Sequence, residues 1–373
     1  MSSAWDAAEQ FAAKGRILAV VPFGDGNIND TYLVRVRGGG VERFVLQRIN
    51  TYVFPHPERI IANLRTCIDH VQERIQLASE SAPPRWEMPD LLTTRTGKDF
   101  YLDADESFWR AISFIEGART FDTIQDQTHA REVGSALGFF HYLLSDLSTD
   151  RLDDTLPGFH IMPEYLAAYE RVRDRLSATD SGPEERYCAA MIEARREWAS
   201  VLEDAKARGD LQVRNIHGDP KVDNILISEQ SGRSVGMVDL DTVKPGLIQY
   251  DLGDCLRSSC NPLGETTGDF DDVHFEIDLA EPILEGYLDQ AGSFLSPNDY
   301  AAIYPAARVM IFEMGLRFFQ DYLAGNVYFK VEHPEHNLER AVVQFKLLES
   351  LEAQKGAMQT LIKSLLPSSP SPR

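Results

Sequence analysis

The residues best suited to do chemistry lie in one short stretch, NIHGDPKVDNILIS, running from Asn215 to Ser228. Asp219 follows His217 and Gly218, Asn224 comes five residues later, and Asp239 closes a second apolar run, MVDLD. An aspartate in such a loop can take the proton of an attacking hydroxyl, while an asparagine and a second aspartate can hold Mg²⁺ against phosphate oxygens. Lys221, two residues beyond Asp219, can reach a γ-phosphate and offset the charge developing on it. The set fits phosphoryl transfer. An aspartate–asparagine pair at this spacing also arises by chance, and a solvated turn with Asn224 as a local cap is the plain alternative. The setting favours the chemical reading. The stretch follows a short predicted strand and precedes a hairpin turning at EQSGRS, and that hairpin ends in VDLD.

The flanking chain predicts the elements that must hold these residues. From Ile17, ILAVVPFGDGNINDTYLVRVRGGGVERFVLQRI reads as three β-branched runs joined by Gly-rich connections, a meander. PHPERIIANLRTCIDHVQERIQ has helical apolar spacing, with Pro57 in the first turn. SESAPPRWEMP breaks regular structure, and LLTTRTGKDFYLDADESFWRAISFI reads as two more strands around a TGK turn. The expectation is an antiparallel sheet of about five strands with one helix. After Glu116 and Gly117 the pattern turns helical. Thr128 is a candidate cap for a helix to about Leu147, and helical stretches follow at Glu164–Leu176 and Glu184–Arg208. Ser296 to Asp299 has capping-box spacing and opens a helix to Leu323, stopped by Gly325, and a last helix covers His336–Leu365. This divides the chain into lobes at 1–116 and 117–365, with a Pro/Ser-rich tail at 366–373 expected to be disordered.

A net charge of −21 argues against a nucleic-acid partner held through its phosphates and against an anionic membrane surface. The four cysteines, Cys67, Cys188, Cys255 and Cys260, form no CxxC pair, which disfavours a zinc site and points to a reducing compartment. With no apolar run of about 18 residues, the expectation is a soluble, cytoplasmic protein with a small-molecule partner. The oligomeric state is open, and a monomer is compatible with the sequence.

The string HGDPKVDN, followed by MVDLD and YDLGD, resembles the aminoglycoside phosphotransferase and choline kinase superfamily of small-molecule kinases. Within it, GNINDTYLV, FVLQRIN, LRFFQDYLAGNVYFKV and HNLERA are similar to the N-acetylhexosamine 1-kinases. The similarity runs from about Phe23 to about Glu349. The resemblance implies an α+β, bilobal protein-kinase-like fold: an N-terminal antiparallel sheet lobe with one main helix for the nucleotide, and a larger, mainly helical C-terminal lobe. It implies ATP and Mg²⁺ as cofactors, Asp219 as catalytic base with Lys221 beside it, and Asn224 and Asp239 as metal ligands. Phe23 to Tyr32 would be the loop over the phosphates, with Phe23, Gly24, Gly26 and Asn27 contributing. The metal ligand would be Asp239 rather than Asp241, and Asp251 a buried acceptor for loop amides. The acceptor would be a sugar hydroxyl, the anomeric one of an N-acetylhexosamine first, met by Arg317, Tyr328 and Asn27. Aminoglycosides, choline and homoserine stay open as acceptors.

One position departs from the pattern. The strand-three lysine of such enzymes is replaced by Gln47 in FVLQRI, with Arg48 on the opposite strand face. Gln47 takes the nucleotide-binding position without a charge, Glu58 is a helix acid without an assured partner, and a non-catalytic pseudokinase draws its support from this residue. Glu313, Arg317 and Asp321 fall at i,i+4 steps, so a surface ladder of ion pairs is the alternative to an acceptor role for Arg317.

Overall fold

The computed structural model describes residues 2–12, 15–24, 26, 28–38, 40, 42–77, 85–175 and 182–366. Asn27 and the expected disordered tail after residue 366 lie outside the described residues.

The chain opens with α1 (Ser2–Phe11), which the sequence reading missed. Ala4, Ala7, Ala8 and Phe11 lie on one helical face and pack on Val34, Val36, Phe44, Leu46 and Trp109 of the sheet. Three of those four residues are alanines, so the apolar signal was faint. The sheet is antiparallel, in the order β1 (Arg16–Pro22), β2 (Asp30–Arg37), β3 (Arg43–Ile49), β6 (Phe108–Ser113), β4 (Leu91–Leu92), with β5 (Tyr101–Leu102) paired to β6. It has six strands rather than five. A second turn causes the difference: Asp103 accepts from the Asp105 and Ser107 amides at 3.0 and 2.9 Å and splits the run that reads as one strand. The TGK turn forms as expected, with the Thr94 amide donating to the Lys98 carbonyl at 2.7 Å.

Helix α2 (Pro57–Leu77) buries Ile60, Ile61, Leu64, Cys67, Ile68 and Val71. Its buried Asn63 donates to the carbonyls of Asp153 and Val243 at 2.8 and 2.9 Å, which fastens the sheet's helix to the C-terminal part.

Strand β7 (Ala118–Arg119) pairs with a strand more than a hundred residues later, and the chain then becomes helical. Helix α3 (Gln127–Leu144) is capped by Asp126, not Thr128, because Asp126 has extended backbone and accepts the His129 amide at 2.8 Å. Helix α4 (Met162–Arg173) follows. The stretch read as Glu184–Arg208 divides into α5 (Pro183–Glu193) and α6 (Val201–Ala207), because Arg195 leaves helical backbone at φ −124°.

Four short strands interrupt the helices: β8 (Val213–Ile216), β9 (Ile225–Ser228), β10 (Ser234–Met237) and β11 (Lys244–Leu247). They form two small sheets, β10-β9-β7 and β11-β8. Then come α7 (Ile248–Ser259), α8 (Ile277–Ala291), α9 (Pro297–Ala301), α10 (Ile303–Leu323), α11 (His336–Ala353) and α12 (Lys355–Ser364). The Ser296 capping box forms, but the helix it opens breaks at Ala302, and the last helix breaks at Gln354. Helix α3 crosses α8 so closely that a Cβ on Gly134 would lie 1.9 Å from the Ile283 carbonyl oxygen. No described helix is long and apolar enough to cross a membrane.

Candidate active site

The two small sheets place the motif. Strand β8 delivers His217 to Asp219, a short 3₁₀ turn at Val222–Asn224 leads into β9, and β10 returns to Asp239. Two buried hydrogen bonds hold this loop from behind, and a third fixes their acceptor. Asp251, at the start of α7, accepts the amides of His217 and Gly218 at 2.6 and 2.8 Å and the His141 Nε2 proton at 2.8 Å. Burial alone would raise its pKa, but these donors, His141 first, hold it below the ordinary carboxylate range. Asp251 is therefore a structural acceptor.

His217 ties the loop to the other half of the motif. Its Nε2 donates to the Val238 carbonyl at 3.0 Å and its Nδ1 accepts the Asp219 amide at 3.2 Å. Those partners require the neutral ring, and burial pushes its pKa down to about 4. Gly218 has φ +86°, and a Cβ there would sit 2.7 Å from the Thr242 carbonyl oxygen, so only glycine fits.

Asp219 and Asp239 open into one cleft, with Lys221, Gln47, Gly26, Arg317 and Tyr328 along its walls. Asn224 stands behind Asp219, with Nδ2 donating to the Asp219 carbonyl at 2.7 Å and to Oδ2 at 3.2 Å. Lys221 Nζ lies 3.8 Å from Asp219 and 3.2 Å from Asp223. Asp239 has φ 60° and ψ 57°, a left-handed conformation unusual for a non-glycine residue and typical of functional turns. Surrounding protein, then the neighbouring carboxylates, raise both Asp219 and Asp239 above the ordinary carboxylate range. Asp239 is nonetheless open to the water of the cleft.

Asp241 faces a different set of partners. It is buried, ion-paired with Arg110 of β6, and accepts from Asn29 Nδ2 at 2.7 Å. Asp239, by contrast, is the carboxylate of VDLD exposed to the cleft. A carboxylate from Asp239 and the amide carbonyl of Asn224 are hard oxygen donors that suit Mg²⁺. Among the described residues no group of three or more His, Cys, Asp or Glu gathers to hold a metal alone. The donor set fits an ion that keeps water and phosphate ligands.

The glycine-rich loop is only partly in the cleft. Gly26 lines it and its carbonyl accepts from Lys330 Nζ at 3.1 Å. Gly24, with φ +73°, and Phe23 are not among the cleft-lining residues, and the Phe23 ring lies 6.1 Å from that of Phe114. Glu58 is on the surface beside His56, away from Gln47's partners.

The far end of the cleft is built by α10 and the loop after it. The Arg317 guanidinium lies 5.2 Å from the Phe159 ring centre, 5.0 Å from Tyr165, 5.8 Å from Tyr328 and 5.5 Å from Phe329. Glu313 lies 3.5 Å from it, so one rung of the expected ladder exists. Asp321 does not form the other. It accepts the amides of Val327, Tyr328 and Phe329 at 2.9, 2.8 and 3.0 Å and so fixes the loop that carries Tyr328. Sequence reasoning also missed His160, Asp254, Arg257 and Glu265 in the same cleft. Arg257 is buried between Asp254 and Glu265, contacts that only the folded helix and loop create.

Residues 19–302 match the phosphotransferase enzyme family, APH. The chain belongs to this family. Its fold is similar to that of an aminoglycoside phosphotransferase from Alicyclobacillus acidocaldarius, with 17% identity, 97% of this chain and 96% of that one covered, and a TM-score of 0.59. A choline kinase from Cryptosporidium parvum matches with 14% identity, 93% and 91% coverage and a TM-score of 0.58. An ethanolamine kinase from Plasmodium vivax matches with 13% identity, 91% and 84% coverage and a TM-score of 0.56. At such identities the likeness is one of fold. Within the APH phosphotransferase family the choice of acceptor lies in the side chains of the site, not in the fold.

Proposed function

We propose that this phosphotransferase transfers the γ-phosphoryl group of ATP to a hydroxyl of an uncharged sugar, with the anomeric hydroxyl of an N-acetylhexosamine as the first candidate. The observation that carries the choice of acceptor is the aromatic box around Arg317. Aromatic boxes bind quaternary ammonium groups. Here the protein's own guanidinium occupies the box, which favours an uncharged acceptor over a quaternary ammonium one. A guanidinium suits hydroxyl and amide carbonyl oxygens instead. The hexosamine itself rests on the sequence resemblance.

When bound, ATP with Mg²⁺ supplies the phosphoryl group and neutralises charge on its phosphates. Asp219 orients the acceptor hydroxyl and takes its proton. Lys221 offsets the charge that develops beside it. Asn224 and Asp239 would hold the metal, and Arg317 with Tyr328 would position the sugar. Gly26, which lines the cleft, and Asn27 would carry the loop over the phosphates in this reading. Residues 1–116 would serve the nucleotide and residues 117–365 the acceptor, in the cytoplasm.

The test is incubation with Mg-ATP and a panel of N-acetylglucosamine, N-acetylgalactosamine, galactose, choline and kanamycin, followed by ³¹P NMR with Asp219→Ala as control. A sugar 1-phosphate signal lost in the variant is the expected result. Turnover of choline or kanamycin but of no sugar would overturn the choice of acceptor, and nucleotide binding without any turnover would favour a pseudokinase.

A further inference from the structure

In kinases of this architecture a lysine on the third strand meets the phosphates of the nucleotide, and a helix glutamate holds that lysine. Neither group is in place here: Gln47 takes the lysine's position, and Glu58 of α2 stands on the surface with His56. Lys221 lies on the other side of the cleft beside Asp219, so the strand-three side of a nucleotide site is left without its cation.

The strand register supplies it. Gln47 of β3 and Arg110 of β6 are direct cross-strand partners, so their side chains share a face of the sheet. Arg110 Nε and Nη2 donate to Gln47 Oε1 at 3.0 and 2.7 Å, and Nη2 also pairs with Asp241. Gln47 and Asp241, the two residues that grip the guanidinium, both line the cleft that holds Asp219 and Asp239, and Arg110 stands directly behind them. Arg110 is 2% exposed, yet its Nη1 has no hydrogen-bond partner among the described residues. A buried guanidinium edge left unmet is unusual, because buried donors are almost always satisfied. With Nε and Nη2 held by Gln47 and Asp241, the protons on Nη1 are the ones left to meet a phosphate oxygen.

We propose that Arg110 is the cation that meets the nucleotide's phosphates in place of the strand-three lysine. Asp241 holds it as the helix glutamate holds the lysine elsewhere, and Gln47 steers it from the vacated position. Asn29, which also donates to Asp241, joins the glycine-rich loop to the same cluster at 2.7 Å. The inference rests on the kinase reading, since it requires a nucleotide in the cleft.

Calorimetric titration with Mg-ADP and with adenosine separates the two. Adenosine carries the base and ribose but no phosphate, so a phosphate-binding residue affects ADP alone. Arg110→Gln is expected to weaken ADP about tenfold to hundredfold while leaving adenosine within about twofold. Arg110→Gln combined with Gln47→Lys returns a cation to strand three, and is expected to recover most of the ADP affinity. It also keeps a charge near Asp241 should the single variant not fold. Equal losses for ADP and adenosine, or ADP binding unchanged in a folded variant, would overturn the inference and leave the kinase reading standing. A wild-type protein that binds no ADP would overturn both.

Discussion

His160 and Gly218 meet through one hydrogen bond, His160 Nε2 to the Gly218 carbonyl oxygen at 2.7 Å, one residue before Asp219. The other ring nitrogen, Nδ1, donates to Glu313 Oε1 at 2.9 Å. Both partners accept, so the ring must carry both protons. Burial works against that charge, but the Glu313 carboxylate outweighs it and the pKa of His160 rises above its ordinary value. A folded-state pKa raised above the unfolded one contributes stability that is fully present below about pH 6.5 and is lost as pH climbs through the raised value. Thermal melts should therefore show wild-type stability declining across that window, with His160→Gln losing this component of the decline. Breaking the pair should cost about 3 kcal/mol at pH 6. A variant with the same melting temperature and the same pH slope as wild type would remove His160 as a support of the catalytic loop.

Asp219 makes a prediction of direction in the opposite role. As the base of the proposed reaction it must be ionised, and its raised pKa means the ionised form is lost at a higher pH than in a free aspartate. The acid limb of kcat/KM against pH should lie well above about 4. Asp219→Asn should lower kcat about 10²- to 10⁴-fold, with the acid limb displaced or lost. A pH profile that keeps its shape in the variant would assign the limb to another group.

The motif from His217 to Asp239 was legible because its geometry is local. Strand, loop and hairpin follow each other in the chain, and the spacing of Asp219, Asn224 and Asp239 survives into space. Arg110 was not legible beside Gln47. Their pairing depends on a strand register set by turns at Thr94 and Asp103, and no local pattern encodes it. His160 is a lone histidine in a linker until Glu313 and Gly218 are brought to either side of it. The helical i,i+4 rule found Glu313 and Arg317 but misread Asp321, because the chain turns back after Gly325 and presents three amides to that carboxylate.

Asp321 leads to a prediction about the acceptor alone. Its carboxylate accepts from three successive amides, and Asn337 Nδ2 adds a fourth contact at 2.9 Å. Hydrogen bonds to a charged group contribute about 1.5–3 kcal/mol each, so Asp321→Ala should loosen the loop that carries Tyr328 and Phe329. Steady-state kinetics should show the acceptor KM raised about tenfold or more with the ATP KM changed far less. A larger effect on ATP would mean that the loop acts through Lys330 and Gly26, which are in contact at 3.1 Å.

Arg317 allows a test that a merely structural residue would fail. Arg317→Ala removes the guanidinium and leaves Phe159, Tyr165, Tyr328 and Phe329 around an empty box, with Glu313 at its edge. The loss of a desolvated cation–π contact and of a donor to the proposed acceptor, together about 2–4 kcal/mol, should lower kcat/KM for that acceptor about 30- to 1,000-fold. An emptied cation site should take a small cation from solution. Guanidinium chloride at concentrations below those that unfold the protein should restore part of the activity, and sodium chloride at the same ionic strength should not. Tetramethylammonium should compete with that rescue, since it fits an aromatic box but donates no hydrogen bond. If neither cation changes the activity of a correctly folded variant, the box does not bind cations and no longer favours a sugar over choline.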